Sequence, residues 1–134
     1  RYGSSAASDV YKRQYLDMVN KAKKQGTTYE TNIVNRLNKN NKFKSQRFAE
    51  GGSKDLGDVQ LFVDDEEYFI EAKSRQNLNI HQSLDKAIEK SGSDNTVLFW
   101  KKLKKRDGNS RRSSDGMPEV VSMSYDLFIK LLNK

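Results

Sequence analysis

SKDLGDVQLFVDDEEYFIEAK, residues Ser53 to Lys73, is the stretch on which the reading of this chain turns. Two runs rich in β-branched and aromatic residues, Val59 to Val63 and Tyr68 to Ala72, flank the acidic segment Asp64-Asp65-Glu66-Glu67 and predict a hairpin. A tight turn on Asp64-Asp65 puts Val63 opposite Glu66, and counting back along both strands sets Asp58 opposite Glu71, with Cβ atoms about 5 Å apart. Side chains alternate along a strand, so Val59, Leu61, Val63, Tyr68, Ile70 and Ala72 share one face. Asp58, Gln60, Phe62, Phe69, Glu71 and Lys73 share the other. The first face is apolar and belongs in a core. The second gathers two carboxylates and an ammonium at the end of the hairpin away from its turn, where strand stability has no use for them.

Carboxylates so placed suit a hard divalent cation held through oxygen, Mg2+ first and Mn2+ as its substitute, with the Ala72 carbonyl as a further ligand. Lys73, two residues beyond Glu71, is positioned to orient or deprotonate a water, or to neutralise charge on a phosphate. Phosphodiester hydrolysis is the chemistry such a set serves.

Asp58, separated by twelve residues from Glu71-Ala72-Lys73, resembles the signature of the PD-(D/E)xK nucleases, with Gly57 where the proline of that signature stands. The segments Gly26-Thr27-Thr28-Tyr29-Glu30 and Phe43-Lys44-Ser45-Gln46-Arg47, the latter leading to Gly51-Gly52-Ser53, are similar more narrowly to the archaeal and phage Holliday-junction resolvases of that superfamily. The resemblance runs from about Gly26 to Trp100. It implies a restriction-endonuclease-like α/β fold and a metal-dependent DNA endonuclease making paired symmetric nicks in a four-way junction, as a homodimer. It further implies that Glu30 joins Asp58 and Glu71 at the metal, that Arg47 contacts phosphate, and that Gln82 points toward the scissile bond. Other structure-specific or nicking nucleases share this site chemistry, and a non-catalytic nucleic-acid-binding module is the reading from a different class.

Several of these residues carry a second reading. Thr27-Thr28-Tyr29-Glu30 fits a capping box, in which Glu30 returns to the N-cap amide of its own helix. Asp55 competes with Asp58 as a ligand, but lies in the loop and not at the head of the strand. Asp64 to Glu67 reads as a solvated turn. His81, the single histidine, reads as an exposed helix residue.

The 134 residues suit one domain, and 34% hydrophobic against 32% charged content makes its core lean. With no cysteine there is neither a disulfide framework nor a thiolate metal site. No apolar run is long enough for a membrane span or a signal segment, which predicts a soluble cytoplasmic protein. The formal charge of +7 is concentrated: Lys101 to Arg112 holds seven of the 25 basic residues and one of the 18 acidic ones, leaving a net of +1 for the rest. A basic patch of this kind suits DNA, whose phosphates dominate affinity and steer association.

In chain order, residues 1–25 read as a tail, partly disordered or non-native, and Ser4 to Gln14 resembles translated adapter sequence; residues 26–134 read as the single domain. Leu16, Val19 and Ala22 have helical spacing. Thr27 to Asn38 predicts a helix with Tyr29, Ile33, Val34 and Leu37 as its stripe. Lys42 to Phe48 predicts the first strand. Gly51 to Lys54 supplies backbone freedom, with Ser53 and Lys54 as candidate DNA contacts. A helix from Asn79 to Ser91 turns Ile80, Leu84, Ala87 and Ile88 inward, and Arg75 precedes it as a further DNA contact. Thr96 to Trp100 predicts a buried strand parallel to that of Glu71, with Phe99 and Trp100 in the core or a dimer contact. Lys101 to Met117 reads as a basic loop that brings Lys101, Lys102, Lys104, Lys105, Arg106, Arg111 and Arg112 to DNA. A strand at Glu119 to Met123 and a helix from Tyr125 to Asn133, capped by Ser124, complete the chain.

Overall fold

The computed structural model describes residues 4–48, 55–104 and 116–134. The first helix, α1 (Ser4–Leu37), is much longer than the stripe at Tyr29 to Leu37 predicts. Residues 8–21 are exposed on every side, so that half owes its form to local propensity, with no proline to interrupt it. Burial begins at its C-terminal part, where Tyr29 and Ile33 are almost wholly covered. The helix continues through Gly26 and Thr27 without a break. The capping-box reading of Glu30 is therefore wrong: Thr27 lies mid-helix, with no helix start beside it to cap, and Thr28 Oγ1 donates back to the Lys24 carbonyl at 2.8 Å.

After a turn over residues 38–42, held by Asn38 through its bonds to the Ser45 backbone, three strands run antiparallel: β1 (Phe43–Arg47), β2 (Val59–Val63) and β3 (Glu66–Arg75). Val63 pairs with Glu66 and Val59 with Ile70, the register that the tight turn predicts. Asp64 adopts a φ of 55°, a left-handed conformation that a short Asp side chain tolerates. The acidic segment is less solvated than its sequence suggests. Glu66 and Glu67 already belong to β3: the Glu66 carboxylate binds Lys134, Lys130 and the Tyr68 hydroxyl, and Glu67 accepts from Gln60.

Helix α2 (Ile80–Ser91) then carries the chain to β4 (Thr96–Lys102), parallel to β3, and β5 (Val120–Ser122) pairs antiparallel with β4. Helix α3 (Tyr125–Leu132) follows, with the Ser124 hydroxyl accepting from the Leu127 amide as its cap. The result is an α/β protein with an open five-stranded mixed sheet in the order β1-β2-β3-β4-β5.

Pairing decides the two faces. Val59, Ile70 and Val97 align across β2, β3 and β4, and Tyr29 and Ile33 of α1 pack against the first two of them. Leu127 of α3 packs against Tyr68 and Val97 on the same side. The opposite face, which carries Phe69, Glu71, Thr96 and Leu98, is covered by α2. There Ala87 is buried, the Ser91 and Thr96 hydroxyls meet at 2.6 Å, and Phe48 stacks on Phe69. Burying these residues on both faces is what a parallel β3–β4 pair requires.

Candidate functional site

Asp58 stands at the head of β2 and is tied into the sheet by three hydrogen bonds. Its amide donates to the Ile70 carbonyl at 3.0 Å, its carbonyl accepts from Phe48, and its Oδ2 accepts from the Ala72 amide at 2.8 Å. The carboxylate is thus locked across from Glu71, and one of its oxygens is committed to the backbone.

Glu71, on the α2 face of β3, is 8% exposed. Its Oε1 lies 3.4 Å from Lys73 Nζ, the side chain two residues along the same strand face. Its Oε2 is buried without a hydrogen bond and has Lys90 Nζ of α2 at 3.7 Å. Burial first, and the neighbouring Asp58 charge second, push the Glu71 carboxyl above its ordinary value against the pull of the two lysines. Such a carboxylate, desolvated and short of hydrogen bonds, is a poor contributor to stability.

Gly57, before Asp58, has a φ of 153°, and a Cβ there would meet the Ile70 carbonyl oxygen at 3.3 Å and the Phe48 ring at 3.7 Å. Proline, confined to φ near −65°, does not fit this backbone. The glycine at the position of the signature proline is therefore a requirement of this chain's own geometry.

A cleft of about 680 Å³ opens over this end of the sheet, and Glu30, Asp58, Glu71 and Lys73 all line it. Glu30 reaches it from α1, with its Oε2 3.8 Å from Arg47 Nη2. Among the described residues no three carboxylate or imidazole side chains converge closely enough to form a ready-made cation cage. A second cleft, of about 380 Å³, lies on the other side of the Glu71–Lys73 edge, against α2, and Gln82 lines it. Gln82 itself is exposed at the start of α2, where its amide donates to the Asn79 cap. His81 is exposed, as expected.

The donor set suits a hard divalent ion: oxygen ligands on rigid strands, no thiolate or imidazole, and a buried Glu71 oxygen in need of a partner. Asp58 and Glu71 are the residues that would hold it, with the Glu30 carboxylate in the same cleft. Asp55, the competing acid, does not line this cleft: its side chain is 78% exposed and pairs at 3.2 Å with Lys90, which also approaches Glu71.

The basic residues divide. Arg75, exposed at the end of β3, lines both clefts, and its carbonyl accepts from Trp100 Nε1 and the Leu103 amide. Lys101 and Lys102 belong to β4 and not to a loop, so they point to opposite faces; Lys101 Nζ lies 6.0 Å above the Tyr29 ring on the α1 side. Lys104 is exposed just beyond the strand. Ser53, Lys54, Lys105, Arg106, Arg111 and Arg112 lie outside the described residues.

Lys90 is the site residue that reading the sequence overlooks. Its signal is helical spacing: Gln82, Lys86 and Lys90 recur every fourth residue, and Lys90 follows the inward Ala87 by three. No protein-family model matches this chain, and no curated protein matches it in sequence.

Proposed function

We propose that this protein is a metal-dependent DNA endonuclease of restriction-endonuclease-like fold, and most specifically a Holliday-junction resolvase. One observation carries the reading: Asp58 and Glu71 meet across β2 and β3, with Lys73 at 3.4 Å from Glu71, at the edge of an open cleft that Glu30 also lines. Paired carboxylates and a lysine at the end of a hairpin, followed by a helix and a parallel strand, form the arrangement that metal-assisted phosphodiester hydrolysis uses. The order of elements, from α1 through the antiparallel meander, crossover helix and parallel strand to α3, supports the same reading.

When bound, Mg2+ or Mn2+ would polarise the scissile phosphate and lower the pKa of a coordinated water. The chain's own residues do the rest. Asp58 and Glu71 would hold the cation, and the Ala72 amide, donating to Asp58 Oδ2, keeps that carboxylate from swinging out of the cleft. Lys73, tethered to Glu71, orients the attacking water or offsets charge on the phosphate. Two cuts in symmetry-related strands call for two such sites, which a C2 homodimer supplies. The exposed Phe128, Ile129 and Leu132 of α3 offer apolar surface for that pairing.

The experiment is cleavage of a labelled four-way junction, beside matched linear duplex and flap, with Mg2+, with EDTA and with Asp58→Asn, together with the solution mass. Paired nicks confined to the junction, made by a dimer and lost in both controls, are the expected result. Equal cutting of all three substrates would keep the nuclease and discard the resolvase. Junction binding with no cutting would instead favour a non-catalytic module, in which Asp58, Glu71 and Lys73 form only a charge network.

A further inference from the structure

The two clefts share the Glu71–Arg75 edge of β3 and differ in charge. The larger sets Glu30, Asp58 and Glu71 against Lys73 and Arg75. The smaller sets Glu71 alone against Lys73, Arg75, Lys86 and Lys90. A cation is favoured in the first, and a polyanion in the second. Lys73 and Arg75 come from β3, whereas Lys86 and Lys90 form one stripe of α2, since residues four apart stand above one another on a helix, and Gln82 begins the same stripe.

We propose that the smaller cleft holds the sugar-phosphate backbone of the DNA strand next to the cleaved bond, with Lys86 and Lys90 as its phosphate contacts. This rests on the nuclease reading and adds to it the path of the strand: along the Gln82, Lys86 and Lys90 stripe of α2 to the carboxylates at Glu71. Lys86 is exposed and enters no ion pair among the described residues, so its charge faces the cleft and solvent. Lys90 stands between Glu71 and Asp55, 3.7 and 3.2 Å away. It links the strand's path to the candidate metal ligand. Gln82 adds a neutral donor at the head of the stripe, and Arg75, at the end of β3 in the same cleft, a fork suited to phosphate.

Phosphate contacts leave a signature that folding effects do not. Each one releases counterions, so the slope of log affinity against log salt falls by about one when a contacting lysine is removed, whatever the DNA sequence. The measurement is fluorescence anisotropy of a labelled duplex and a labelled four-way junction in EDTA, over a salt series. The proteins compared are wild type, Lys86→Ala, Lys90→Ala, the double variant, and a control removing the exposed Lys39 and Lys44 at the other end of the hairpin. The expected result is a slope lower by about one for each single variant and about two for the double, with the control unchanged and Lys86→Arg restoring the wild-type slope.

Equal losses in the double variant and the control would overturn the proposal, because net charge alone would then explain binding. A wild type that cuts the junction while its slope ignores both lysines would overturn this proposal and leave the nuclease standing. A wild type that binds no DNA would overturn both. Preference for a matched RNA duplex, with the same dependence on the lysines, would overturn the assignment to DNA. If Lys90→Ala fails to fold for want of a partner for Glu71, Lys86→Ala and Lys86→Arg still decide the matter.

Discussion

Glu71 concentrates the conflict between stability and chemistry in one side chain. An acid whose folded value lies above its ordinary one binds more protons in the folded state than in the unfolded state within that interval. Stability then falls as pH rises through the interval, and that loss remains above it. Glu71→Gln removes the charge and keeps the shape. Without divalent metal, the variant is expected to melt at a higher temperature than wild type near neutral pH, with the advantage vanishing below the ordinary carboxylate range. The nuclease activity proposed above is expected to be lost at the same time. Thermal melts in EDTA across pH, beside the junction assay, check both halves. A variant less stable than wild type at neutral pH would mean that the pairs with Lys73 and Lys90 outweigh burial. Lys73 was legible from the alternation of β3, whereas Lys90 was not, because no local rule brings a helix residue to a particular strand.

At the scale of elements, the hairpin is the part whose sequence and structure agree most closely. Period-two alternation and the acidic turn together leave a single register that buries the apolar face, so Asp58 and Glu71 had to meet. The entry to β2 was less legible. Gly57 carries a backbone conformation and a close approach to Ile70 that an L side chain resists. Gly57→Ala is expected to cost roughly 1–3 kcal/mol, the scale of one strained backbone position. Chemical denaturation measures it, and a neutral effect would show that the Phe48 side and the strand entry relax freely. Gly57→Pro, which introduces the residue that the nuclease signature carries there, is expected to be worse and not better, since proline's φ is incompatible with this position. The first helix shows the opposite limit. Its stripe at Tyr29 to Leu37 was readable from spacing, but upstream only Leu16, Val19 and Ala22 carried a helical spacing, and residues 8–21 face solvent all round, so burial adds nothing to mark that half.

Across the whole molecule, charge is managed by contacts between distant parts of the chain. Lys134 and Lys130 of the α3 region close on Glu66 at the start of β3, with Nζ of Lys134 at 2.6 Å and the Tyr68 hydroxyl at 2.7 Å from the same carboxylate. Hydrogen bonds from Lys134 and then Tyr68 pull the Glu66 carboxyl from the ordinary 4.5 down to about 2. A depressed acid adds stability above its unfolded value, and that contribution is lost as pH falls from about 4.5 toward about 2. Glu66→Gln is expected to flatten this acid limb in urea denaturation, with the difference shrinking at high salt because the group is open to solvent. An acid limb of unchanged slope would remove Glu66 as its source. No helix among the described residues is long and apolar enough to cross a membrane.

What the sequence determined by itself was everything governed by a repeat or a pairing rule. The hairpin register, the face shared by Asp58, Glu71 and Lys73, and the inward stripes of α1 and α2 follow from periods of 2.0 or 3.6 applied to neighbouring residues, and the parallel β4 from the helical crossover that precedes it. The tertiary structure alone decided which element lies over which. It brought Lys90 to Glu71, Glu30 to the cleft, and Lys130 and Lys134 to Glu66. These contacts join residues whose positions in the chain are related by no period, so their geometry exists only once the helices have docked on the sheet.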